Sequence, residues 1–513
     1  MTVYSIGLLQ GYLPNGVDNA QGYRERFFND LELNNYYIFF DAPIRKSIYY
    51  YESLGIPHKK MISPYHFFTK RGHVSLNDSK DEVLDRIKQN ICYDEIRIED
   101  DFITLYYENK RILVIILDDH NKAYVERIHY YKDECLIRTE FYLGGLFYVE
   151  MYETRKNNDG LLYAKKIKRT YYMIDGRVAF EVMDIDAKTY ICFPDGRKMS
   201  DYELLNEYFK ALNFSEKDTL IVDRPGNQMF AQPLIENKND SKLLCVLHSE
   251  HYFDANQDPQ TAVYLNYEYY YWYKYSRYID KFIVSTQEQK ECLIKNLEEN
   301  QSFIPDVAVI PVGYKLYLEE QDKPRKENTL ITVSRLDGRK RLDLIIKSVV
   351  KAHKQNTEIN LDIYGKGTEQ YTLFLHNLVN ELNASDFINF KGHVNVNDLY
   401  VDYPAYITAS MWETFGLTLL EACSSGCAFI GLDVRYGNRL FIEDEKNGYL
   451  IKYDYVHDEN YDDYITDQMS EKILKLFEDK ERLHRFNLHS YEISKRFTYD
   501  EVLKLWKTLI CSL

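Results

Sequence analysis

The residues best suited to chemistry lie in the stretch Ile407–Gly437, where two carboxylates flank a glycine. Glu413 precedes Gly416, and Glu421 lies eight residues after Glu413. The apolar residues Phe415–Cys423 predict a buried helix, and the free N–H groups and positive dipole end at its start favour an anion. The stretch therefore predicts a site for a phosphate-bearing ligand with hydroxyl groups at both ends.

Two cations stand just beyond an earlier apolar strand, in the sequence Ser-Arg-Leu-Asp-Gly-Arg-Lys. Arg335 and Lys340 at one rim could neutralise the charge that develops on a departing diphosphate, although a solvated basic turn is the alternative. Gly365 follows the next strand and permits close approach of backbone, and His393 and Val394 follow the strand after that. Because these features fall at consecutive strand ends, they predict one shared binding edge.

The elements that must position these residues alternate between strands and helices in both halves of the chain. An apolar strand at residues 3–9 leads through a glycine-bearing loop into a helix, so Gly16 is a candidate for phosphate contact, with a tight connection as the alternative. The alternation resumes near residue 219, and His248 stands at a strand end there. It repeats more regularly after a charged linker at residues 319–328. Two Rossmann-like halves place a ligand in the cleft between them.

Between about residues 91 and 190 the pattern changes to short alternating strands rich in Tyr, Ile and Val. Turns at Gly160, Gly176 and Gly196 separate several of them. This pattern is typical of an antiparallel meander inserted into an α/β domain. Such a sheet has edges and faces that could bind an acceptor or a protein partner, and a purely structural role is the alternative.

Composition restricts the class of protein. The 513 residues carry a formal net charge of −16 without a basic stripe, which argues against nucleic-acid binding. The eight cysteines are scattered, and Cys423 and Cys427 have no second pair or histidine nearby, which favours buried reduced thiols over a zinc site. Since the sequence has no apolar run of about 18 residues and no basic, cleavable leader, a cytosolic protein is expected.

The motifs carry a resemblance to a known family. SRLDGRK, DIYGKG, FKGHV and ETFGLTLLEACSSG, in this order, resemble the nucleotide-sugar half of GT-B glycosyltransferases of the retaining family 4, in which an E-x7-E pair corresponds to Glu413 and Glu421. More narrowly, Gly11–Arg24, the meander, DRPGNQ, VLHSEHYFDAN, FIVST and GLDVRYGNRLFIEDEKNGYLI resemble the GtfA family, the catalytic subunits of bacterial O-GlcNAc transferases that modify serine-rich-repeat adhesins. Arg435 stands where proline is usual, a change that we do not expect to affect the chemistry.

The resemblance implies an α/β protein with the GT-B fold, in which two Rossmann-like domains face a cleft and the antiparallel meander is inserted in the N-terminal domain. The implied divisions are an N-terminal acceptor domain at 1–65 and 201–315, the inserted meander at 66–200, a nucleotide-sugar-binding domain at 316–495, and a C-terminal helix at 496–513 that packs back on the N-terminal domain.

The resemblance also implies roles for individual residues. Arg335 and Lys340 would hold the diphosphate, while the loop at Gly16 would close over it from the other domain. Glu421 would bind the ribose, and Glu413 would hold hydroxyl groups of the donor sugar. His248 would contact that sugar near the reacting centre; His251 is a second candidate, and a core histidine is the alternative interpretation. The implied catalytic residues are His248, Arg335, Lys340 and Glu413, and the implied donor-binding residues are Gly16, Gly365, His393, Val394, Phe415, Gly416, Leu417, Thr418 and Glu421.

The implied reaction is transfer of GlcNAc from UDP-GlcNAc to Ser/Thr hydroxyls of a serine-rich acceptor polypeptide, with the α configuration retained. No metal or other cofactor is expected, because the Asp184–Asp186 D-x-D sequence lies in the meander. The implied partner is a homologous non-catalytic subunit bound through the meander, and contact with the inner face of the cell membrane would be peripheral only. UDP-glucose as donor, a teichoic-acid α-GlcNAc transferase and a non-catalytic partner subunit are the alternatives.

Overall fold

A computed structural model describes residues 1–7, 15–72, 76–185, 188–223, 229–252, 266–300, 303–315, 323–394, 399–454 and 459–513. The chain divides into two compact units, Met1–Leu244 and Cys245–Leu513. No helix in the described parts of the chain combines the length and the apolar character needed to cross a membrane.

The first unit contains a parallel sheet, an antiparallel sheet and six described helices. The strands are β1 (Thr2–Gly7), β2 (Asn34–Phe39), β3 (Met61–Ile62), β4 (Glu95–Ile98), β5 (Phe102–Tyr107), β6 (Lys110–Leu117), β7 (Val125–Lys132), β8 (Cys135–Tyr142), β9 (Leu146–Lys156), β10 (Leu162–Tyr172), β11 (Val178–Ile185), β12 (Lys188–Cys192), β13 (Lys198–Met199) and β14 (Asp218–Val222). The helices are α1 (Gly16–Asp30), α2 (Arg45–Ser53), α3 (Pro64–Phe68), α4 (Lys80–Asn90), α5 (Asp201–Leu212) and α6 (Ala231–Asn237). A further strand, β15 (Lys242–Val246), contains the boundary between the units.

The parallel sheet of the first unit has β1 between β14 and β2, with β3 beyond β2. Ile6 lies opposite both Val222 and Ile38, so the carboxyl ends of these three strands are aligned. At the start of α1, the Asn15 side chain accepts hydrogen bonds from the N–H groups of Val17 and Asp18, both at 3.1 Å. An amide side chain at this position satisfies donors that the first helical turn leaves unpaired.

The predicted meander is confirmed as an antiparallel sheet in which strands β4 to β13 pair in chain order. Two buried arginines fix this sheet to the helical part of the first unit. Arg45, the first residue of α2, donates to Asp78 at 2.6 Å and to Asp118 at 2.7 Å. Arg71 donates to the main-chain oxygens of Leu143 at 2.9 Å and Leu146 at 2.7 Å. Since both side chains are buried, these bonds are charge-assisted contacts shielded from water.

The second unit is organised around a parallel sheet in the order β20-β19-β18-β21-β22-β23. Its members are β18 (Thr329–Val333), β19 (Asn360–Tyr364), β20 (Ile388–Gly392), β21 (Ala405–Thr408), β22 (Ala428–Leu432) and β23 (Gly448–Ile451). Two further strands of this unit, β16 (Lys281–Val284) and β17 (Asp306–Val309), pair with each other and lie outside that sheet. The helices are α7 (Tyr267–Lys274), α8 (Gln287–Asn300), α9 (Leu342–His353), α10 (Glu369–Glu381), α11 (Leu417–Ser424), α12 (Gly437–Phe441), α13 (Glu459–Glu478), α14 (Lys480–Ser494) and α15 (Tyr499–Cys511). Short 3-10 turns lie at His58–Lys60, Ser276–Tyr278, Gly338–Lys340, Tyr400–Asp402 and Lys495–Phe497.

Alternate residues of each central strand enter different apolar clusters, as the two faces of a sheet require. Leu330 and Ile430 pack in one cluster with residues of α9 and α13. Ile331 and Phe429 pack in the other with residues of α11 and with the segment that leads into α15. Both faces are therefore covered, which explains why the strands read as continuous apolar runs rather than alternating ones.

The cysteines only partly follow the expectation of burial. Cys423 and Cys427 are buried in the cluster that holds α11, and Cys245 and Cys292 are also buried. Cys92 and Cys511 are exposed, so for these two the expectation was wrong. Cys92 lies between α4 and β4 and Cys511 ends α15, positions where the chain leaves a packed element.

Candidate functional site

The loops that follow the central strands of the second unit are joined edge to edge by main-chain hydrogen bonds. Ser334 N–H, after β18, donates to Tyr364 O at 3.1 Å, and Gly365 N–H, after β19, donates to Gly392 O at 2.9 Å. Met411 N–H, after β21, donates to Arg339 O at 3.3 Å. The carboxyl ends of four neighbouring strands therefore form one continuous edge, and the residues predicted there lie on it.

Gly365 is required by the packing of these loops. Its φ of +146° lies in a region that side-chain-bearing residues rarely adopt. A Cβ atom at this position would stand 1.8 Å from Ser334 O, and one at Gly367 would stand 2.1 Å from Leu336 O. The two glycines thus allow the loop after β19 to lie directly against the loop that carries the candidate cations.

An ion pair on this edge joins Lys340 to Glu413. The ammonium group donates to Glu413 Oε1, and the two side chains are only 20% and 17% exposed. Lys340 ends a 3-10 turn whose N-cap, Asp337, accepts from Arg339 N–H at 3.0 Å. On the other side, Glu413 O accepts from Tyr436 N–H at 2.8 Å. The pair is thus held from two separate loops, and each charge compensates the other.

Arg335 contrasts with this pair because its side chain is 64% exposed. Its guanidinium contacts Asp337 at 3.4 Å, a long contact that Arg339 shares at the same distance. An exposed pair of this kind contributes little to stability. Arg335 is therefore available to exchange this contact for an anionic ligand at the same edge.

The helix after this edge begins later than predicted. Gly416 has φ +85° and caps α11, whose first residue is Leu417 rather than Phe415. Phe415 is 3% exposed, with ring centroids 5.2 Å from Phe441 and 5.9 Å from Phe497. The periodic pattern included Phe415 because it is apolar, but its side chain belongs to the core before the helix starts. Only its main-chain groups can therefore contact a ligand.

Two donor-binding candidates on α11 are held by tyrosine hydroxyls. Tyr400 OH donates to Glu421 Oε2 at 2.9 Å, and Tyr406 OH lies 3.1 Å from Thr418 Oγ1. Burial raises the pKa of Glu421 above its usual range, while the positive charge of Lys315 and the Tyr400 hydroxyl act in the opposite direction. Glu421 is thus a carboxylate that is oriented but only partly compensated, which suits it to accept from ligand hydroxyl groups.

The histidines after β15 occupy different environments. His248 is half-buried directly after the strand, and the neighbouring Ser249 N–H donates to Tyr269 OH at 3.0 Å. His251 is completely buried, with Nε2 2.8 Å from Asn296 Oδ1. Burial lowers the pKa of His251 to about 4, so its imidazole is neutral near pH 7. His251 is a core histidine, whereas His248 keeps contact with solvent.

The remaining predicted residues are placed as follows. His393 and Val394 are exposed directly after β20. Gly16 is the first residue of α1, and residues 8–14, which form most of the predicted glycine-bearing loop, lie outside the described residues. The same is true of residues 224–228 in the DRPGNQ motif. No cluster of three or more His, Cys, Asp or Glu residues suited to a metal occurs in the described part of the chain.

The sequence did not single out Tyr436, Glu288 or Glu250 as parts of this region. Tyr436 is 1% exposed, and its backbone holds Glu413 as described above. Arg435, which replaces the usual proline, pairs through Nε with Glu288 of α8 at 3.2 Å. Glu250 is buried beside His251. Glu250 could have been noticed as a charged residue between two histidines. Tyr436 and Glu288 could have been noticed through Arg435, the unusual residue that precedes Tyr436 and pairs with Glu288.

Taken together, the edge offers an exposed guanidinium, a lysine–glutamate pair, the free N–H groups at the start of α11 and a second carboxylate one turn into it. The cations and the helix start attract phosphate groups. The carboxylates accept from hydroxyl groups. This combination suits a ligand with a charged centre and hydroxyl-bearing ends.

Comparison with known proteins agrees with this chemistry. Residues 315–492 match the family model "Glycosyl transferases group 1", and residues 95–195 match "GtfA extended beta-sheet domain". The UDP-N-acetylglucosamine--peptide N-acetylglucosaminyltransferase GtfA subunit of Streptococcus gordonii is 32% identical over 99% of this chain and 98% of its own length.

Two solved structures extend the likeness to the whole fold. The pneumococcal O-GlcNAc transferase GtfA in complex with UDP and GlcNAc is 30% identical, with a TM-score of 0.87 over 100% of this chain and 99% of that one. A GtfA/B complex gives 31% identity and a TM-score of 0.85 over the same shares. The predicted GT-B fold, with an antiparallel sheet in its N-terminal region, is confirmed. On this full-length similarity, together with the two family models, the chain belongs to the GtfA family of glycosyltransferases.

Proposed function

We propose that the protein transfers GlcNAc from UDP-GlcNAc to Ser/Thr hydroxyls of a serine-rich acceptor polypeptide and retains the α configuration, as a family 4 enzyme. The observation that supports this most is the Lys340–Glu413 pair beside exposed Arg335 and the start of α11. The relatives with this architecture are named as UDP-GlcNAc–peptide transferases.

In this proposal the bond between the sugar C1 atom and the diphosphate oxygen breaks, the acceptor hydroxyl oxygen takes its place on C1, and the hydroxyl proton passes to the departing diphosphate. Arg335 and Lys340 neutralise the charge of the departing UDP, and the N–H groups at the start of α11 add a fixed positive dipole. When Lys340 turns toward the diphosphate, Glu413 is released to accept from sugar hydroxyl groups. Glu421, oriented by Tyr400, binds the ribose. His248 contacts the sugar near C1, and Gly365, His393 and Val394 border the nucleotide.

The proposal includes independence from divalent metals, since the two cations and the helix start supply the positive charge that a metal would otherwise bring. Transfer measured after exhaustive EDTA treatment is expected to equal that of the untreated enzyme. Loss of activity in EDTA that Mg²⁺ or Mn²⁺ restores would contradict it.

A homologous partner subunit is proposed to bind through the inserted domain, residues 66–200. Support comes from the hairpin between β9 and β10, where Leu161 and Leu162 are 67% and 57% exposed and Tyr163 is 47% exposed. Adjacent apolar side chains on a solvent-facing hairpin favour a protein contact. Replacing Leu161 and Leu162 by Ser should reduce co-purification of the partner while donor hydrolysis is unchanged; unaltered co-purification would exclude this hairpin.

The test of the whole proposal is mass spectrometry of a serine-rich peptide incubated with the enzyme and either UDP-GlcNAc or UDP-glucose, with and without cell extract. A mass increase equal to one N-acetylhexosamine with UDP-GlcNAc is expected. A hexose from UDP-glucose would identify the other donor sugar. Modification of a polyol-phosphate polymer instead of the peptide would favour the teichoic-acid alternative, and absence of any UDP-sugar hydrolysis would favour a non-catalytic subunit.

A further inference from the structure

Glu250 carries a buried carboxyl group. The residue is 7% exposed, and among the described residues neither carboxyl oxygen accepts or donates a hydrogen bond. Its backbone, by contrast, is fixed, because Glu250 O accepts from Asn266 Nδ2 at 2.9 Å. An ionised carboxylate that is withdrawn from water and unpaired is strongly disfavoured, so such a group takes up a proton.

Charged and titratable groups from several elements lie around Glu250. They are Tyr252 and His251 from its own segment, Tyr436 and Arg435 from the loop after β22, Glu413 from the loop after β21, and Glu288 and Cys292 from α8. The carboxylates of Glu413 and Glu288 are paired with Lys340 and with Arg435 and Arg439. No cation forms an ion pair with Glu250 in the described chain.

The balance of these effects favours the neutral acid. Burial, together with the smaller effects of the negative charges of Glu413 and Glu288, raises the pKa of Glu250 to about 8. The hydroxyls of Tyr252 and Tyr436 are near enough to lower the pKa in part, although neither reaches ordinary hydrogen-bonding geometry. Burial raises the pKa values of Cys292 and Tyr436 as well, so both stay protonated when Glu250 begins to ionise.

Tyr436 connects Glu250 to the candidate site. Its N–H donates to Glu413 O at 2.8 Å, and its hydroxyl lies 3.4 Å from Nδ1 of the neutral His251. Its side chain packs with Tyr252 and Cys292 in a small buried cluster. A change of charge at Glu250 therefore acts on the residue that holds the Glu413 backbone.

We propose that Glu250 is a positioning residue of the donor site: protonated in the working enzyme, it fills buried space near Tyr436 without adding charge, and so keeps Tyr436, and through it Glu413, in place. Loss of its proton to solvent adds an uncompensated negative charge beside the Lys340–Glu413 pair and weakens binding of an anionic nucleotide-sugar. The inference rests on the proposed function where it is tested by activity, and on the fold alone where it is tested by stability.

The first test compares Glu250→Gln and Glu250→Ala with the wild type in the pH dependence of kcat/KM for UDP-GlcNAc. With a pKa of about 8, the protonated fraction and hence the wild-type kcat/KM should fall about tenfold between pH 7 and pH 9. Glu250→Gln, which copies the neutral acid, should recover most of the kcat/KM that Glu250→Ala loses at pH 7 and should lack the alkaline decline. A folded Glu250→Gln variant with the activity of Glu250→Ala, or with the wild-type alkaline decline, would overturn the proposal.

The second test is thermal unfolding of wild type and Glu250→Gln between pH 5 and pH 9. A carboxyl whose pKa is raised in the folded state contributes stability that is lost as pH rises toward that pKa. As the pH rises from 5 to about 8, the stability of the wild type should therefore fall relative to that of Glu250→Gln. Above about pH 8, which is the pKa of Glu250 in the folded protein, the difference should stay constant. A difference that is constant across this range would overturn the proposal. If no protein form transfers any UDP-sugar, the proposed function fails, and the unfolding measurement still decides the protonation state of Glu250.

Discussion

Removal of the Lys340 ammonium group separates a catalytic role from a structural one. Lys340 and Glu413 are 20% and 17% exposed, so Lys340→Ala leaves a mostly buried carboxylate without its counter-charge. Such a loss costs roughly 1–3 kcal/mol of folding free energy. If the ammonium also stabilises the departing diphosphate, its removal should reduce turnover by roughly 100- to 1,000-fold, which is about 2.7–4 kcal/mol of activation free energy.

The assay measures UDP release and peptide modification at saturating donor, together with the thermal unfolding midpoint of the same preparation. The double variant Lys340→Ala/Glu413→Gln provides the control for charge, because it removes the unpaired carboxylate along with the lysine. Its unfolding midpoint should return toward that of the wild type while turnover stays low. Wild-type turnover in a folded Lys340→Ala variant would refute the role, and recovery of turnover in the double variant would show that only the unpaired charge mattered.

Three further predictions concern neighbouring features. Arg335→Ala should raise KM and lower kcat for the UDP-sugar. The control Arg339→Ala should leave both constants unchanged, although Arg339 is 55% exposed and contacts the same aspartate. Equal effects of the two substitutions would mean that the enzyme requires only positive charge in this region and no specific contact from Arg335. Gly365→Ala should unfold well below the wild-type temperature, because its Cβ atom would stand 1.8 Å from a carbonyl oxygen. The control Gly392→Ala, with φ +72° and open space around it, should lose only the roughly 1–2 kcal/mol of folding free energy that a left-handed backbone costs. Similar unfolding midpoints for the two variants would contradict the packing argument. Arg45→Ala should cost roughly 3–5 kcal/mol in denaturant unfolding because two buried carboxylates lose their partner, and a near-neutral effect would show that water reaches them.

The sequence by itself determined the secondary-structure pattern and the chemistry of the strand-end edge. Strands β18, β19 and β22 coincide with short apolar runs of the sequence, because a strand buried on both faces consists almost entirely of apolar residues. The alternating segments after residue 91 predicted the antiparallel sheet because successive side chains of a strand point to opposite faces of the sheet. Arg335, Lys340 and Glu413 were identified because glycines, cations and carboxylates recur directly after such strands.

Boundaries that depend on tertiary packing were less predictable. Helix α13 begins at Glu459, and its polar first half supplies Ile465 and Met469 to the core, which the local pattern of that half does not indicate. The apolar residues of α14 are sparse, and they are buried by α11 and the sheet, so the sequence pattern alone gives little sign of this helix. The start of α11 moved from Phe415 to Leu417 because aromatic residues far along the chain bury the Phe415 ring.

Only the tertiary structure brought residues 250, 288, 413 and 436 together. Residues 250, 288 and 436 are unremarkable in their own segments, and the pairing of Glu413 with Lys340 and of Glu288 with Arg435 joins segments separated by many residues. The protonation of Glu250 likewise follows from burial and from charges contributed by other elements, which no local pattern encodes. The sequence therefore identified the groups that we propose bind a nucleotide-sugar, and the fold decided which of their charges compensate one another.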